Sequence, residues 1–529
     1  MNKWRLAFVV ILLFVLNVFL LNVNAYAIDF DQIQLKNNKQ LSFKRCHVDG
    51  IKTQVLCGEL KVPENYQYHL QNNIQYFPQI TIKFVVIPAI ERNEKYAPLM
   101  FLAGGPGQSA VGIAAGILGA FNEVRKTRDL LLIDQRGTGQ SQALVCSAFS
   151  KKNLREKDAV AFSSQKPSQK KDNVYSNIPE DFSSAEIEQC LSQLTEDLSQ
   201  YNSENAIRDF NEVRQVLGYQ YINIYGSSYG TRAGLLYMQL FPQTIQHIVL
   251  DGVAPIKKPI GLFGQSSAAS FELLLTDCEQ EEYCQQAFPQ LKDEFQRLVK
   301  RLEKQPMTIE ILHPKLGIPT TFVLTKAKLY SIIIKQLYSV PMRSFIPLAL
   351  HQAYIDNYLP LAGLIAAGED TGEMSTALYF NIICNEDFAR LTADAFNHDA
   401  QNNFSESYSH KSLQQVCPLW PTYPLPSTFT QALNLDPLTI KIPSLILSGG
   451  LDPVTPASNG EALVKRLPNS HHIIVDNLSH GVATSASDCV VPIINQFLMD
   501  ITMQDIDTSC LNNIPKASFM TTLNGGHYD

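Results

Sequence analysis

Short, continuous apolar runs recur along the chain, and the segments between them place apolar residues at helical spacing. Continuous runs without alternation are typical of parallel strands that are covered on both faces. One intervening segment, 203–217, places Ile207, Phe210 and Val213 on one helical face. Gly218 follows it and can end that helix. The runs predicted as strands are Leu99–Ala103, Leu130–Asp134, Tyr221–Tyr225, Ile245–Asp251, Ser444–Ser448 and His472–Val475, preceded by two strand-like runs within 46–90.

Strands that alternate with helices in this way predict an open α/β sheet, mostly parallel, with helices on both faces. Two segments interrupt the alternation. Residues 150–182 are polar and predict an exposed insertion, and residues 255–440 are long enough for a mainly helical cap domain. The cap region also contains a predicted strand pair, Thr308–Leu312 and Thr320–Leu324. The predicted core therefore comes in two parts, 28–254 and 441–529.

The N-terminus has the pattern of a secretory signal peptide. Lys3 and Arg5 precede an apolar run from Leu6 to Leu21, and Ala25-Tyr26-Ala27 fits a cleavage site. We predict a signal peptide over 1–27, export to the periplasm or the medium, and no stable membrane association after cleavage. The alternative is an uncleaved anchor, since an apolar run of this length is short for a membrane span but not impossible as one.

The net charge bears on the class of partner, and the cysteine content bears on disulfides and metal sites. A formal net charge of −7 argues against a nucleic-acid surface. The ten cysteines are even in number, and in an exported protein they predict structural disulfides. Neighbours in sequence form five local pairs, although sequence alone does not fix the connectivity. The spacing fits no zinc motif, so we expect no metal.

The pentapeptide Gly226–Gly230 carries the most chemical information. It lies between an apolar, strand-like run and a helix-like run, which is the setting of a G-x-S-x-G nucleophile elbow. A serine hydroxyl needs a base to become a good nucleophile, and such a turn projects the hydroxyl away from the backbone. We predict that Ser228 is the catalytic nucleophile. The alternative is an ordinary Gly/Ser turn.

A base and an orienting acid are expected after the nucleophile, in the chain order Ser, Asp or Glu, His. Asp452 follows the strand at 444–448, and His480 follows the next predicted strand. Both would lie in loops at the carboxyl edge of the sheet, where open α/β sheets place their sites. We predict His480 as the base and Asp452 as its partner. Asp251, at the end of an earlier strand, is the alternative acid.

A glycine-rich segment after the first strongly buried strand predicts an oxyanion hole. The backbone amides of Gly105 and of Tyr229, the residue after the nucleophile, are the expected donors. The segment 105–110 also fits the dinucleotide pattern G-x-G-x-x-[GA], but a proline lies inside it and an exported protein seldom meets such a cofactor. We therefore expect neither a metal nor an organic cofactor.

Five motifs occur in order along the chain: Gly104–Gly107, Asp134–Gly139, Gly226–Gly230, Gly450–Pro456 and Ser479–Gly481. The chain is similar to α/β-hydrolase serine peptidases of the prolyl aminopeptidase and tripeptidyl aminopeptidase type (the S33 peptidase group). Ala103 stands where prolyl aminopeptidases usually carry histidine, which favours the secreted tripeptidyl type.

The resemblance implies an α/β-hydrolase fold and an aminopeptidase that releases short peptides, or one N-terminal residue, from peptides with a free N-terminus. Such an enzyme needs an anion that pairs with the α-ammonium of the substrate. Glu386 and Asp387 of the predicted cap are the candidates, and the alternative is that they are solvated loop acids. Trp420 is a candidate for an apolar substrate pocket, against the alternative of core packing.

Two other functional classes remain open from the sequence. A carboxylesterase or lipase would use the same three side chains, because both reactions pass through one acyl-enzyme chemistry. A non-catalytic binding protein on a hydrolase scaffold is the second alternative. The sequence does not give the oligomeric state or the residue preference for the substrate.

Overall fold

The computed structural model describes most of the chain. The described residues are 41–67, 78–93, 95–147, 149, 182–314, 317–367, 374–401, 404, 408–434 and 441–524. The predicted signal peptide, 1–27, lies outside this part of the chain, and so does the predicted insertion 150–182 apart from its last residue.

A central sheet contains the runs that were predicted as strands. The strands of the protein are β1 (Leu41–Cys46), β2 (Val55–Pro63), β3 (Gln79–Ile87), β4 (Leu99–Leu102), β5 (Leu130–Ile133), β6 (Ile222–Ser227), β7 (Ile245–Asp251), β8 (Met307–Leu312), β9 (Pro319–Leu324), β10 (Ser444–Gly449) and β11 (Ser470–Val475). The sheet order is β1-β2-β3-β5-β4-β6-β7-β10-β11, with β8 and β9 forming a separate antiparallel pair.

The sheet is antiparallel at one end and parallel over the rest. The pairs β1–β2, β2–β3 and β3–β5 are antiparallel, whereas the pairs β5–β4, β4–β6, β6–β7, β7–β10 and β10–β11 are parallel. The carboxyl ends of these parallel strands therefore meet at one edge. The prediction of a mostly parallel α/β sheet is confirmed.

Helices cover the sheet and extend beyond it. The α-helices are α1 (Ala114–Ala120), α2 (Asn122–Arg125), α3 (Ser184–Gln193), α4 (Ser203–Val216), α5 (Tyr229–Leu240), α6 (Gly264–Gln280), α7 (Glu282–Ala287), α8 (Leu291–Lys304), α9 (Lys326–Leu337), α10 (Val340–Arg343), α11 (Ile346–Tyr354), α12 (Leu359–Ala367), α13 (Thr376–Ile382), α14 (Ala393–Ala400), α15 (Tyr408–Val416), α16 (Ser427–Asn434), α17 (Ala457–Val464), α18 (Val482–Ser485) and α19 (Ser487–Leu498).

The two faces of the sheet pack against different apolar clusters. Successive strand residues point to opposite faces, and β6 shows the consequence. Ile224 packs in one cluster with Leu236 of α5. Its neighbour Tyr225 packs in the other, which contains Phe121 and Ile494 of α19. Burial on both faces explains why these strands are continuous apolar runs rather than alternating ones.

Between β7 and β10 the chain leaves the sheet and forms a mainly helical segment that includes the β8–β9 pair. Its helices α6 to α12 enclose an apolar cluster of their own, which contains Phe271, Leu298 and Leu329. We refer to residues 255–440 as the cap segment. Its role as a domain over the site stays a prediction.

Disulfides tie several of these elements together. The five bonds join Cys46 to Cys57, Cys146 to Cys190, Cys278 to Cys284, Cys384 to Cys417 and Cys489 to Cys510. The prediction of structural disulfides is confirmed, and such bonds persist in oxidising compartments. Over the part of the chain that the structure describes, no helix is long and apolar enough to cross a membrane.

A buried ion pair links the loop after β5 to helix α4. Arg136 donates hydrogen bonds of 2.7 Å to both carboxylate oxygens of Asp209, and neither side chain is exposed. Tyr66 also donates to Asp209, at 2.9 Å. The Asp134–Gly139 motif therefore contributes to the scaffold of the site through Arg136.

Replacing Asp209 by Ala leaves the Arg136 guanidinium buried without its partner, so we expect a loss of about 3–5 kcal/mol in the free energy of unfolding. The matched control is Glu272→Ala, which removes an exposed partner of Lys292 and should cost no more than about 1 kcal/mol. Urea denaturation measures both. Equal losses in the two variants would contradict the account of the buried pair.

Candidate active site

Ser228 occupies a strained turn between β6 and α5. Its backbone has φ 57° and ψ −122°, a combination that non-glycine residues seldom adopt and that is held only where the surroundings enforce it. The Ser228 amide donates to the carbonyl of Asp251 at 2.9 Å. Thr231 donates two hydrogen bonds to the Ser228 carbonyl, one from its amide at 2.9 Å and one from its hydroxyl at 2.6 Å.

The glycines on either side of the turn allow the strand and the helix to approach closely. A Cβ atom on Gly230 would lie 2.0 Å from the carbonyl oxygen of Leu102 in β4, and one on Gly226 would lie 2.4 Å from the carbonyl oxygen of Gly230. No side chain fits at either position without moving the backbone. The G-x-S-x-G pattern is therefore a packing requirement of this turn.

Asp452 and His480 form a hydrogen-bonded pair at the same edge of the sheet. His480 Nδ1 lies 2.8 Å from Asp452 Oδ2, and Asp452 is 4% exposed. Thr455 donates to the same carboxylate from its hydroxyl at 2.6 Å and from its amide at 2.8 Å, and the amide of Val454 donates at 2.9 Å. These donors fix the carboxylate and leave it oriented toward the imidazole.

Each member of the pair shifts the pKa of the other in the direction that favours the charged form. Burial alone would raise the pKa of Asp452, but the His480 imidazole and the hydrogen bonds from His480 and Thr455 outweigh burial and lower it. Burial would likewise lower the pKa of His480, but the charge and hydrogen bond of Asp452 outweigh burial and raise it. The imidazole is therefore a stronger base than an isolated histidine.

Ser228 and His480 each contact the carboxyl end of β7, at Asp251 and at the residue that follows it. The carbonyl of Asp251 accepts the Ser228 amide, and a Cβ on Gly252 would lie 3.3 Å from His480 Cε1. The described hydrogen bonds do not include one between the Ser228 hydroxyl and the His480 ring. Such bonds often tighten only when a substrate is bound.

The glycine-rich loop after β4 lies against the serine. A Cβ on Gly104 would be 3.3 Å from Ser228 Cβ, and the amide of Ser375 donates to the carbonyl of Gly107 at 2.8 Å. The cap segment thus braces this loop next to Gly105. Tyr229 is the first residue of α5, and the amides of a first helical turn have no partner within the helix.

The side chain of Tyr229 is linked through Ser203 to a buried acid, Glu386. Its hydroxyl lies 2.5 Å from the hydroxyl of Ser203. The amide and hydroxyl of Ser203 donate to the two carboxylate oxygens of Glu386, at 2.7 and 2.6 Å. Burial raises the pKa of Glu386 to about 7, against the hydrogen bonds from Ser203. Glu386 also lines a small pocket with Tyr201, Asn385 and other residues.

Asp387 and Trp420 are both buried, and each has hydrogen-bond partners within the protein. Asp387 is fully buried, and its carboxylate accepts from Arg232 at 2.8 and 2.9 Å and from Arg390 at 3.0 Å. It is therefore already neutralised by guanidinium groups, and we do not include it in the proposed substrate site. Trp420 is 3% exposed and donates to the Asn381 side chain at 3.0 Å. This burial matches the core-packing alternative.

Several residues next to the site carried no sequence signal. Tyr338, just after α9, accepts the His480 amide at its carbonyl at 3.2 Å, and its ring lies edge-on to the imidazole at 5.0 Å between centroids. Ser479 donates to the carbonyl of Leu337. The cap segment thus contacts the histidine loop as well as the glycine loop. Thr455 lies within the Gly450–Pro456 motif, but the sequence alone gave it no role of its own.

Comparison with known proteins matches two non-overlapping parts of the chain. A family model described as the alpha/beta hydrolase fold matches residues 97–287, and one described as TAP-like protein matches residues 401–510. The first match includes Ser228, and the second includes Asp452 and His480. The chain has the α/β-hydrolase fold. Residues 401–510 are similar to TAP-like proteins, and the two matches together confirm the resemblance to serine peptidases of the tripeptidyl aminopeptidase type.

Curated relatives match parts of the chain at low identity. The putative hydrolase YuaR of Escherichia coli (strain K12) is 23% identical over 48% of this chain and 49% of its own length. The serine protease Hip1 of Mycobacterium bovis is 28% identical over 39% and 37%. A tripeptidyl aminopeptidase of Streptomyces lividans is 25% identical over 40% and 38%. The chain thus spans about half or less of the length of these relatives.

Solved structures align over a larger share of the chain, but at lower sequence identity. A proline iminopeptidase of Mycobacterium smegmatis aligns with 80% of this chain and 95% of its own, at 14% identity and a TM-score of 0.37. At that similarity the alignment supports no argument about function.

Replacing Asp452 by Asn removes the charge that raises the pKa of His480, so we expect that pKa to fall. The measurement is an NMR titration of the ¹³C-labelled histidine ring, assigned by comparison with His480→Gln. Asp476→Asn is the matched control, because it makes the same change at an exposed position at the end of the neighbouring strand and should leave the pKa in place. An unchanged pKa in Asp452→Asn would contradict the pairing.

Proposed function

We propose that this protein is an exported serine peptidase that cleaves short peptides, or one residue, from the free N-terminus of peptides. Ser228 acts as the nucleophile, His480 as the base and Asp452 as the orienting acid. The observation that carries the proposal is the hydrogen bond of 2.8 Å between His480 and the buried carboxylate of Asp452, at the same edge of the sheet as the strained turn at Ser228. No metal or organic cofactor takes part in the proposed reaction.

In the proposed reaction, His480 removes the hydroxyl proton of Ser228 as the oxygen attacks the scissile carbonyl. The backbone amides of Gly105 and Tyr229 donate to the resulting oxyanion. His480 then gives its proton to the leaving amine, and an acyl-enzyme remains. Water, activated by the same imidazole, releases the acyl product. Asp452 favours the imidazolium that forms in both halves of the reaction, consistent with the raised pKa of His480.

Glu386 supports the proposal of a free N-terminus. A buried carboxyl that lines a pocket is suited to pair with an α-ammonium, and the approach of that cation would favour the ionised form despite burial. Glu386 is 1% exposed and connects to the Ser228 turn through Ser203 and Tyr229. The similarity to a named tripeptidyl aminopeptidase supports peptide substrates. Asp387, with its charge already paired, is not part of the proposal.

Export is supported by two observations. The five disulfides are typical of proteins that mature in an oxidising compartment. The apolar run and cleavage pattern of 1–27 predict a signal peptide. We therefore propose a periplasmic or secreted location for the mature enzyme.

A fluorophosphonate should label the wild-type enzyme at Ser228, because only an activated serine reacts readily with this reagent. Intact-protein and peptide mass spectrometry locate the adduct. Ser228→Ala should abolish labelling, whereas Ser227→Ala keeps the hydroxyl of the nucleophile and should be labelled. An adduct that persists in Ser228→Ala would contradict the assignment of the nucleophile.

N-acetylation of a tripeptidyl-amide substrate should lower kcat/KM by roughly 100-fold, because it removes the charge that would pair with Glu386. Glu386→Gln should lower kcat/KM for the free-amine substrate and leave the acetylated substrate unchanged. Glu188→Gln is the control, since it removes an exposed surface charge. Equal turnover of free and acetylated substrates, together with fast ester hydrolysis, would indicate a carboxylesterase instead.

A further inference from the structure

Asp251 places a second buried carboxylate beneath the candidate site. It is the last residue of β7 and is fully buried. Its oxygens accept three hydrogen bonds: from the Tyr225 hydroxyl at 2.6 Å, from the amide of Val482 at 3.0 Å and from the amide of Ala483 at 2.9 Å. Val482 and Ala483 open helix α18, directly after the loop that carries His480. The carboxylate therefore anchors that loop to the sheet.

The backbone at the same position contacts the other two parts of the site. The Asp251 carbonyl accepts the Ser228 amide at 2.9 Å. The next residue, Gly252, is so close to the loops that a Cβ would lie 2.8 Å from Thr455 Oγ1 and 3.3 Å from His480 Cε1. One residue at the end of β7 thus joins the nucleophile turn to the histidine loop, and its neighbour contacts both the histidine and the loop of Asp452.

We propose that Asp251 is a positioning residue for the active site: its carboxylate fixes the segment that carries His480, and its carbonyl fixes the turn that carries Ser228. This inference rests on the proposed function. Asp251 is not the acid of the triad, because both of its oxygens accept backbone amides and His480 Nδ1 is bonded to Asp452. It acts through the loop, so it sets where the imidazole stands relative to the hydroxyl.

The charge of Asp251 adds to this mechanical role. Two acids and one phenol face the imidazole: Asp452 from the loop after β10, Asp251 from β7, and Tyr338 from the cap segment. Asp452 raises the pKa of His480 most, and Asp251 raises it further. Burial raises the pKa of Asp251 above its ordinary value, and the hydrogen bonds from Tyr225, Ala483 and Val482 counteract that shift by favouring the ionised form. Loss of that charge would therefore lower the pKa of the imidazole.

The test compares Asp251→Asn with Asp129→Asn on a tripeptidyl-amide substrate. Asp129 is a matched buried acid, since it accepts from a tyrosine hydroxyl, Tyr219, at 2.8 Å and from a backbone amide, Ala89, at 2.9 Å. It precedes β5 and so lies at the opposite edge of the sheet. Fluorophosphonate titration gives the fraction of active sites in each preparation, and rates are expressed per active site.

We expect Asp251→Asn to lower kcat roughly 10- to 100-fold with KM changed less than about threefold, as a misplaced catalytic group does. The acidic pKa in the pH profile of kcat/KM should also fall. Asp129→Asn should lose stability but keep its kcat per site and its pH profile. Normal kcat and an unshifted profile in Asp251→Asn, with Ser228 still labelled in the wild type, would overturn the inference and leave the proposed function intact.

A milder variant keeps the inference testable if Asp251→Asn does not fold. Tyr225→Phe removes one of the three donors and no charge, so we expect a smaller fall in kcat, roughly two- to fivefold, with KM unchanged. Tyr219→Phe is its control at Asp129 and should not change kcat per site. Equal rates in these two variants would overturn the inference. Failure of the wild type to react at Ser228 would instead overturn the proposed function.

Discussion

The site depends on the close backbone contact between the turn at Ser228 and strand β4. Gly230 can lie against the carbonyl of Leu102 only because it has no side chain. This contact holds Ser228 at a positive φ, a strained conformation that a serine seldom adopts without such packing. The parallel register of the sheet then brings the other loops to the same edge. The position of the serine hydroxyl is thus set by backbone packing, and the surrounding side chains adjust the chemistry at that point.

Buried acids in this molecule differ in what their charge is paired with. Asp387 and Asp209 each face a buried arginine, and such pairs are costly to break because the remaining charge has no partner. Asp452 faces an imidazole whose protonation state can change, and the Glu386 carboxylate accepts from the amide and the hydroxyl of Ser203, which carry no charge. The pairing, rather than burial, separates acids that hold the scaffold from acids that are available for chemistry.

Much of this arrangement follows from the sequence, and the rest depends on contacts between distant segments. Continuous apolar runs predicted the parallel strands, and the elbow motif placed Ser228 between one strand and its helix. Local sequence did not show that Arg232 neutralises Asp387, because the two are joined only by the folding of the cap segment onto α5. It also gave no signal for the contact of Tyr338 with His480. Asp251 was considered as an acid because it ends a strand, but its partners became visible only in the structure.

The most direct test of the central claim is a crystal structure of the enzyme with a peptide boronate. The account predicts a tetrahedral boron bonded to Ser228 Oγ, one boronate oxygen within hydrogen-bond distance of the amides of Gly105 and Tyr229, and His480 Nε2 within hydrogen-bond distance of the adduct while Nδ1 stays on Asp452. A boronate bonded to another residue, or an imidazole that stays out of reach of the Ser228 adduct, would contradict it.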